Sequence, residues 1–461
     1  MNKMTKDYDV VIIGAGPGGI YTAYELIKND KLLRVAVIDS GNSLNNRKCP
    51  AILYNTNCVH CETCSIMQGF GGAGAFSDGK YNITNDFGGN ISKYIGEENA
   101  TKLMTYVDSI NNKFVDNLPN LFITDKNSEL YRECLKNNLH LLSGNLRHLG
   151  TDNNLILLEK LYKDLSEYVD FYFNTTVESI EKSVPFLIKT DKGETFSATY
   201  CVVSAGRSGS KWVERICKEL GVQTTSNNVD IGVRVELPYS TFAHITDELY
   251  ESKIVYRTQR YQDLVRTFCM NPKGQVVCEN TNGIITVNGH SFEDKNKQTN
   301  NTNFALLVSK HLTEPFNNST EYGESIAKLS NMLGGGVIVQ RFGDLIRGQR
   351  STEKRISESF VKPTLKANPG DLSLVLPKRI LDDIISMVCQ LDKVAPGTAN
   401  DDTLLYGVEV KFSNVLVDVD NNFESKIPNL YFIGDGSGIS RSLSQASASG
   451  VWVATQILCR I

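Results

Sequence analysis

Hydrophobic and polar positions follow different patterns in the two parts of the chain. Near the amino terminus an apolar run, "DVVIIG" at residues 9–14, precedes a segment of helical periodicity and a second apolar run, "RVAVID" at residues 34–39. Short apolar runs bounded by turn residues are typical of strands buried on both faces. This part of the chain therefore predicts a strand, a tight turn, a helix and a second strand.

From residue 229 the pattern changes to strands in which apolar and polar residues alternate. The runs are "VDIGVRVELP", "SKIVYRTQ", "DLVRTFCMNP", "GQVVCEN", "GIITVNGHS" and "NFALLVSKHL". A period of two is typical of antiparallel sheets. We expect a mainly antiparallel sheet here, followed by helices at about 320–333 and 377–392.

The turn after the first strand carries the glycine spacing of a dinucleotide site. Gly14 permits a sharp turn, Gly16 lets the backbone approach a diphosphate, and Gly19 lets the helix pack on the strand. The helix N-terminus then directs its positive dipole end at the phosphates. Asp39, at the end of the second strand, is placed to accept hydrogen bonds from an adenosine ribose and disfavours a 2'-phosphate.

NAD and FAD both use this glycine pattern, so the carboxyl-terminal part of the chain decides between them. There a short apolar strand ends in Gly434-Asp435 and precedes a helix, and an aspartate at this point of two-dinucleotide flavoproteins binds the ribitol. An earlier apolar strand, "YCVVSAG", ends in Ala205-Gly206, as the crossing strand of such proteins often does. The cofactor predicted from these motifs is FAD.

These elements predict an α/β fold in which the first domain is discontinuous. Its parts are residues 1–90, 145–230 and 400–461, which form a Rossmann-like FAD-binding domain. Residues 91–144 are expected to form a helical insertion. Residues 231–399 are expected to form an inserted, mainly antiparallel β plus helical domain that roofs the flavin. A small-molecule substrate is then expected between the domains.

Charge and hydropathy exclude several classes of partner. A net charge of −4 and a pI near 6.0 give no general attraction to nucleic acid or to an anionic membrane surface. The first apolar run begins within ten residues of Met1 and leaves no room for a secretory signal. No stretch offers about eighteen uninterrupted apolar residues. We therefore expect a cytoplasmic protein that binds neither membrane nor nucleic acid.

Four of the eleven cysteines are clustered, at Cys49, Cys58, Cys61 and Cys64. The C-x2-C-x2-C spacing of the last three matches three ligands of a bacterial-type four-iron cluster, and Cys49 can supply the fourth. A zinc site, a redox dithiol and reduced thiols without a function are the other interpretations. An iron–sulfur cluster beside a flavin would admit electrons from an electron-donor protein.

Several blocks resemble the FAD-dependent dehydrogenases that form a largely uncharacterised family of the glutathione-reductase-like flavoprotein superfamily. The similar blocks are "GFGGAGAFSDGKYNIT", "LRHLGTDNNLILLEKL", "AGRSGSKWVERICKELGV", "VDIGVRVELP", "RTFCMNP" and "YFIGDGSGISRSLSQASASG". The similarity runs from residue 10 to the carboxyl terminus. It implies the fold and the cofactor, whereas the substrates of this family are largely unassigned.

The resemblance also implies residue roles. It places Gly71, Gly72, Ser77, Asp78 and Lys80 near the flavin, and it places Arg147, His148, Gly150 and Thr151 between the domains. Asp39 departs from the commoner glutamate at its position. Among these residues, His148 is the candidate general acid or base, Arg147 a candidate anion anchor and Lys80 a candidate charge near the ring.

The sequence thus predicts an FAD-dependent dehydrogenase or reductase. It would transfer a hydride between flavin N5 and a small organic substrate, oxidising or reducing a C–C or C–N bond. A second glycine fingerprint is absent from the sequence, so NAD(P)H is expected as a transient reductant at most. Two alternatives are an RNA-modifying flavoprotein and a redox-sensing or electron-transfer flavoprotein that uses the cysteines at 49–64.

Overall fold

The computed structural model describes residues 5–461 except 55–58, 60, 78, 117–118, 226, 282, 292–294, 311, 313–317 and 412–414. The chain divides into two compact units. The first unit comprises Met1–Leu121, Gly144–Asn227 and Asn414–Ile461, and the second comprises Phe122–Ser143 and Asn228–Ser413. Among the described helices, none has the length and apolar content that a membrane span requires.

The α-helices of the described residues are α1 (Pro17–Asn29), α2 (Pro50–Leu53), α3 (Ile91–Ile95), α4 (Glu97–Phe114), α5 (Glu129–Lys136), α6 (Gly150–Leu165), α7 (Ser210–Leu220), α8 (Tyr239–Leu249), α9 (Ser319–Gly334), α10 (Phe342–Ile346), α11 (Glu353–Glu358), α12 (Lys378–Leu391) and α13 (Leu443–Leu458).

The strands are β1 (Lys6–Ile13), β2 (Val35–Ile38), β3 (Lys80–Ile83), β4 (Leu121–Ile123), β5 (Leu139–Leu141), β6 (Asn145–His148), β7 (Val169–Tyr172), β8 (Val177–Glu181), β9 (Phe186–Thr190), β10 (Thr195–Val203), β11 (Thr224–Thr225), β12 (Val229–Pro238), β13 (Ile254–Arg257), β14 (Leu264–Asn271), β15 (Gln275–Thr281), β16 (Ile284–His290), β17 (Asn301–Lys310), β18 (Ile338–Arg341), β19 (Asn368–Pro369), β20 (Leu404–Lys411), β21 (Leu416–Val417) and β22 (Leu430–Phe432).

The main sheet of the first unit is parallel at its centre. Its order is β7-β2-β1-β10, and β10 then pairs in parallel with β22 through Cys201–Val203 and antiparallel with β9 through its earlier residues. Strand β1 lies between β2 and β10, which makes Val10 to Ile13 fully interior positions of the sheet. This burial explains why the first apolar run lacks polar alternation. Helix α1 connects β1 to β2, as the sequence pattern predicts.

The second unit is built on a sheet of order β19-β18-β20-β12-β17-β14-β13-β5, in which β12 is antiparallel to both neighbours. Alternate residues of β12 face opposite sides. Ile231, Val233 and Val235 belong to a hydrophobic core that includes residues of α12, and Arg234 lies on the opposite, polar side. The helices expected at about 320–333 and 377–392 are α9 and α12.

The division into units differs from the boundaries drawn on the sequence at three stretches. Residues 91–121 lie in the first unit, because α3 and α4 bury Ile91, Met104 and Val107 in its core. Residues 122–143 lie in the second unit, because β5 pairs with β13. Strand β20 also lies in the second unit, because it pairs with β12 and β18. Each placement depends on strand pairing or packing between segments far apart in sequence.

Two carboxyl groups of the second unit lie close together, one buried and one partly exposed. Asp383 on α12 is 1% exposed, and its Oδ2 lies 4.0 Å from Lys310 Nζ. Asp263 is nearby and accepts hydrogen bonds from Arg379 Nε at 2.6 Å and from Lys310. Burial raises the pKa of Asp383 to about 6, and the neighbouring Asp263 also raises it, whereas Thr258 and Lys310 oppose the rise.

We expect Asp383→Asn to stabilise the protein at neutral pH and not in acid. The raised pKa means that ionised Asp383 disfavours the folded state, so its cost is absent below the ordinary pKa of 3.8 and complete above about 6. The variant should gain about 3 kcal/mol of unfolding free energy near pH 8. Urea unfolding near pH 4 and near pH 8 measures this difference, and an equal effect at both would contradict the assignment.

Candidate functional site

Three predicted loops meet at one edge of the first unit's sheet. They follow the carboxyl ends of the adjacent strands β1, β10 and β22. Ser204 N donates to Ile13 O at 2.8 Å, Gly436 N donates to Ala205 O at 2.9 Å, and Gly14 N donates to Ile38 O at 2.8 Å. This edge is where parallel α/β sheets bind ligands. The structure therefore brings together the three glycine loops, "GAGPGG", "AGRSG" and "GDGSG", that the sequence places far apart.

The glycines of these loops serve different purposes. Gly14 has φ +111°, and a Cβ there would lie 2.4 Å from Ser204 O. A Cβ at Gly19 would lie 2.0 Å from Gly14 O, so this glycine lets α1 pack against the turn. At Gly16 and at Gly206 a Cβ would meet nothing within 4 Å. Gly14 and Gly19 are thus required by the fold, and Gly16 and Gly206 border open space that a ligand can fill.

Helix α1 begins beside this open space. Gly16 is its N-cap, Pro17 occupies its first turn, and the first turn carries no acidic side chain. The backbone N–H groups of a first turn lack acceptors within their own helix and carry partial positive charge. The end of α1 thus suits an anionic group, and the open space at Gly16 lets a diphosphate approach it.

Asp39 fixes the same turn from the end of β2. Its Oδ2 accepts from Ala15 N at 2.7 Å, and its Oδ1 accepts from Gly41 N at 2.7 Å. Burial raises the pKa of this carboxyl, and the two backbone amides and the Arg47 guanidinium oppose the rise. Each carboxylate oxygen can accept more than one hydrogen bond, so this arrangement is compatible with an additional ribose hydroxyl.

Arg47 is a residue that the sequence motifs do not reveal. It is 5% exposed and donates to three backbone carbonyls, those of Ser65 at 2.9 Å, Ile66 at 2.9 Å and Phe70 at 2.6 Å. Burial lowers its pKa to about 10, and Asp39 opposes this change. A lone arginine in a loop carries no sequence signal, because its partners are backbone atoms of a segment about twenty residues later.

The segment after the cysteines packs on the glycine turn. Gly71 N donates to Ala15 O at 2.8 Å, and a Cβ at Gly72 would lie 3.3 Å from Gly16 Cα. A short 3-10 turn follows at Gly72–Phe76, and the Ser77 hydroxyl closes it by donating to Gly74 O at 2.7 Å. Of the residues predicted near the flavin, Gly71 and Gly72 thus contact the glycine turn at Ala15 and Gly16. Asp78 lies outside the described residues.

Asp435 stands on the third loop beside two arginines. Its Oδ1 accepts from Ser440 Oγ at 2.7 Å, and its Oδ2 lies 3.9 Å from Arg207 Nε. Burial raises the pKa of Asp435, whereas Arg207, Ser440 and Arg441 oppose the rise. Gly434, with φ +79°, supplies the turn that presents this carboxyl. A carboxylate of the third loop and an arginine of the second loop are thus close together.

Lys80 and His148 are cross-strand partners. Strands β3 and β6 pair antiparallel with Lys80 opposite His148 and Tyr81 opposite Arg147. His148 is buried, and the next residue, Leu149, donates its N–H to Gly79 O at 3.1 Å. The two blocks "SDGK" and "RHLG" are therefore adjacent in the first unit.

Arg147 has a structural partner in place of the predicted anion. Its Nε and a terminal nitrogen donate to the two carboxylate oxygens of Asp108 on α4, at 2.6 and 2.8 Å. The other terminal nitrogen donates to Pro119 O at 2.5 Å. The guanidinium is buried, and each of its nitrogens donates a hydrogen bond. Arg147 therefore connects β6 to α4 through its bonds to Asp108.

The cysteine cluster receives no support as a metal centre. Cys49, Cys61 and Cys64 are free thiols, and Cys58 lies outside the described residues. In the part of the chain that the structure describes, no group of three or more His, Cys, Asp or Glu side chains is arranged to hold a metal ion. Neither the iron–sulfur interpretation nor the zinc interpretation is supported by this arrangement.

Residues 228–412 match a family model described as "FAD-dependent protein, C-terminal domain-like". The match supports FAD as the cofactor. It covers β12 to β20, which lie outside the three glycine loops. No curated protein matches the chain at a significant level.

The solved structures that the chain matches include three oxidoreductases. Glycine oxidase from Geobacillus kaustophilus is 12% identical, with 99% of this chain and 95% of that chain covered and a TM-score of 0.41. L-proline dehydrogenase from P. horikoshii is 10% identical, with the same coverage and TM-score. L-α-glycerophosphate oxidase from Mycoplasma pneumoniae, solved with FAD bound, is 12% identical, again with 99% and 95% covered and a TM-score of 0.41. These values do not transfer a substrate to this chain.

Asp435→Ala is expected to weaken FAD retention by about 10-fold or more, because a carboxylate that accepts from ligand hydroxyls contributes of the order of 1.5 kcal/mol or more. The measurement is FAD fluorescence during titration of the apoprotein. Asp7→Ala, at an exposed position of β1 in the same unit, is the matched control. Equal FAD affinity in Asp435→Ala and the wild type would contradict a ribitol role.

Proposed function

We propose that the protein is an FAD-dependent oxidoreductase whose first unit is a Rossmann-like FAD-binding domain. The observation that carries the proposal is the meeting of three glycine loops at the ends of β1, β10 and β22, with open space at Gly16 and Gly206. Bound FAD would supply hydride transfer between flavin N5 and a small organic substrate, at a C–C or C–N bond. The family-model match to residues 228–412 supports the same cofactor.

Each chemical group of FAD has candidate binding residues in the first unit. Gly14 and Gly16 with the N-terminus of α1 would hold the diphosphate, Asp39 the adenosine ribose and Asp435 the ribitol. The remaining candidates would lie in two regions: Gly19 and Ala205-Gly206 in the supporting turns, and Gly71, Gly72, Ser77 and Asp78 near the flavin. Backbone N–H groups can donate to phosphate oxygens, and carboxylates can accept from sugar hydroxyls.

Proton transfer in the proposed reaction is assigned to the β3–β6 pair. An imidazole titrates near neutrality and can give or take the proton that accompanies hydride transfer. Arg147 and His148 are consecutive on β6. The hydrogen bonds from Arg147 to Asp108 therefore also fix the position of His148. Arg147 is therefore a positioning residue in this proposal, and Lys80, opposite His148, supplies positive charge.

The decisive experiment is cofactor analysis followed by anaerobic reduction. We expect about one FAD per chain. NADH or NADPH should reduce the flavin slowly, and an electron-donor protein such as reduced ferredoxin should reduce it faster. A metabolite pool is then tested for reoxidation of the reduced flavin. FMN, or no flavin after reconstitution, would overturn the proposal. Fast reduction by NADPH at low micromolar concentration would overturn the assignment of an external electron donor.

His148→Ala should reduce substrate-dependent flavin reoxidation by about 100-fold, because general acid–base catalysis typically contributes that much or more. FAD content should stay unchanged, since His148 lies outside the three glycine loops. His140→Ala, at an exposed position of β5, is the control and should behave as wild type. Parallel loss of FAD and of turnover in His148→Ala would assign the residue a structural role instead.

A further inference from the structure

A cavity of about 610 Å³ lies in the second unit, formed by α11 and the loop that precedes it. Its volume is within the range of small-molecule sites, about 300–1,000 Å³. The side chains that line it are all polar: Gln349, Arg350, Thr352, Lys354, Arg355 and Glu358. Three of them are cationic and one is acidic. Such a lining favours a polar, anionic occupant.

The loop of this cavity is held by buried parts of the second unit. Gln349 O accepts from Gln340 Nε2 at 2.8 Å, and Ser351 N donates to Gly370 O at 3.0 Å. Gln340 and Ser351 are both 0% exposed. The backbone on each side of Arg350 is therefore fixed in the absence of a ligand, which lowers the entropy cost of binding one there.

A buried carboxylate orients Arg355. Asp344 is 1% exposed, and its Oδ1 lies 3.4 Å from Arg355 Nη1. The same oxygen lies 3.5 Å from Arg341 Nη1 and 3.8 Å from Arg347 Nη2, so three arginines share this acid. Arg355 Nη1 also donates to Arg350 O at 3.2 Å. Nε and Nη2 of Arg355 have no hydrogen bond to the described residues, so their N–H groups can donate to a ligand.

The other polar groups of the lining are mainly hydrogen-bond donors. Within the described chain, the Arg350 guanidinium forms no hydrogen bond or ion pair. Lys354 Nζ lies 3.9 Å from Glu358 Oε1, and both of these side chains are exposed. The Thr352 hydroxyl accepts from Arg355 N at 3.4 Å and can donate its own hydrogen. A ligand that consists of acceptor oxygens therefore matches this lining.

We propose that this cavity binds a small phosphorylated sugar or polyol through its phosphate group. A phosphate monoester carries nearly two negative charges and three acceptor oxygens, so it matches three cations better than a carboxylate does. Arg350 and Arg355 would donate to the phosphate oxygens, since the planar guanidinium suits phosphate geometry. Lys354 would add the third positive charge.

The organic part of the ligand follows from the rest of the cavity. A volume of about 610 Å³ exceeds that of a phosphate group and leaves room beside it. The lining contains no apolar side chain, and Glu358 can accept a hydrogen bond from a hydroxyl. These features favour a hydroxylated organic part over an aromatic or aliphatic one. The proposal is independent of the proposed function, because all of these residues belong to the second unit.

The test is calorimetric titration of the FAD-saturated protein with inorganic phosphate and with glucose 6-phosphate in a buffer that contains no phosphate. Saturation with FAD occupies the glycine loops, which also suit a phosphate. We expect saturable binding of both ligands, tighter for glucose 6-phosphate, and about 10-fold weaker binding by Arg350→Gln. Thermal unfolding of this variant without ligand should match wild type, because the Arg350 guanidinium has no partner in the described chain. Arg260→Gln, at an exposed arginine of the same unit, is the matched control and should bind as wild type does.

Three results would overturn the inference. They are the absence of saturable binding up to about 10 mM of either ligand, equal affinity of Arg350→Gln and wild type, and equal weakening in Arg350→Gln and Arg260→Gln, which would show a general effect of charge. Tighter binding of inorganic phosphate than of glucose 6-phosphate would overturn the assignment of a sugar or polyol. Failure of the protein to bind FAD would overturn the proposed function alone, since the comparison of Arg350→Gln with wild type can be made without FAD.

Discussion

Gly16→Ala is expected to lower FAD affinity by about 10- to 100-fold while leaving the apoprotein folded. A Cβ at residue 16 meets nothing within 4 Å in the protein, and its φ of −77° suits any residue. The added methyl group therefore costs the fold little, but it occupies the space where a diphosphate would approach the N-terminus of α1. Titration of apoprotein with FAD measures the loss, and thermal unfolding without FAD checks that the fold is intact.

Gly14→Ala is the matched comparison and should behave in the opposite way. Here φ is +111° and the new Cβ would lie 2.4 Å from Ser204 O, so the turn between β1 and α1 must distort. We expect the apoprotein itself to lose about 3 kcal/mol or more of unfolding free energy. If Gly16→Ala destabilises the apoprotein as much as Gly14→Ala does, the open space at Gly16 is not a ligand site.

Glu409→Gln is expected to destabilise the second unit by about 3–5 kcal/mol, because it leaves a buried guanidinium without its counter-ion. Arg234 is 0% exposed, and its five N–H donors are all engaged. Two go to Glu409, at 2.8 and 2.9 Å, and the others go to Cys269 O, Asn288 Oδ1 and Asn303 Oδ1. Lys411 Nζ also lies 3.0 Å from Glu409 Oε1, so this carboxylate forms ion pairs with two cations.

Glu219→Gln is the control for this change, since Glu219 forms an exposed pair with Arg215 on α7 at 2.9 Å. An exposed pair of this kind contributes about 0–1 kcal/mol. Denaturant unfolding of the two variants and the wild type gives the comparison. A cost below about 1 kcal/mol for Glu409→Gln would show that the interior around Arg234 admits water.

Local sequence determined the parts of the candidate site that depend on short-range chemistry. Gly14, Gly16 and Gly19 were predicted from what one turn between a strand and a helix requires. In the structure Gly14 has a positive φ, Gly16 borders open space and Gly19 packs closely against the turn. The alternation in "VDIGVRVELP" likewise predicted a strand with two different faces. Apolar periodicity and glycine spacing act within one element, so they are readable without knowledge of distant residues.

Residue roles that depend on distant partners were decided by the tertiary structure alone. The sequence offers Arg147 as an anion anchor, and the fold gives it Asp108. The sequence gives no role to Arg47, and the fold surrounds it with the backbone carbonyls of Ser65, Ile66 and Phe70. The same holds for β20, whose partner β12 is about 170 residues away. An arginine can bind any well-placed oxygen, and only the path of the whole chain decides which oxygens surround it.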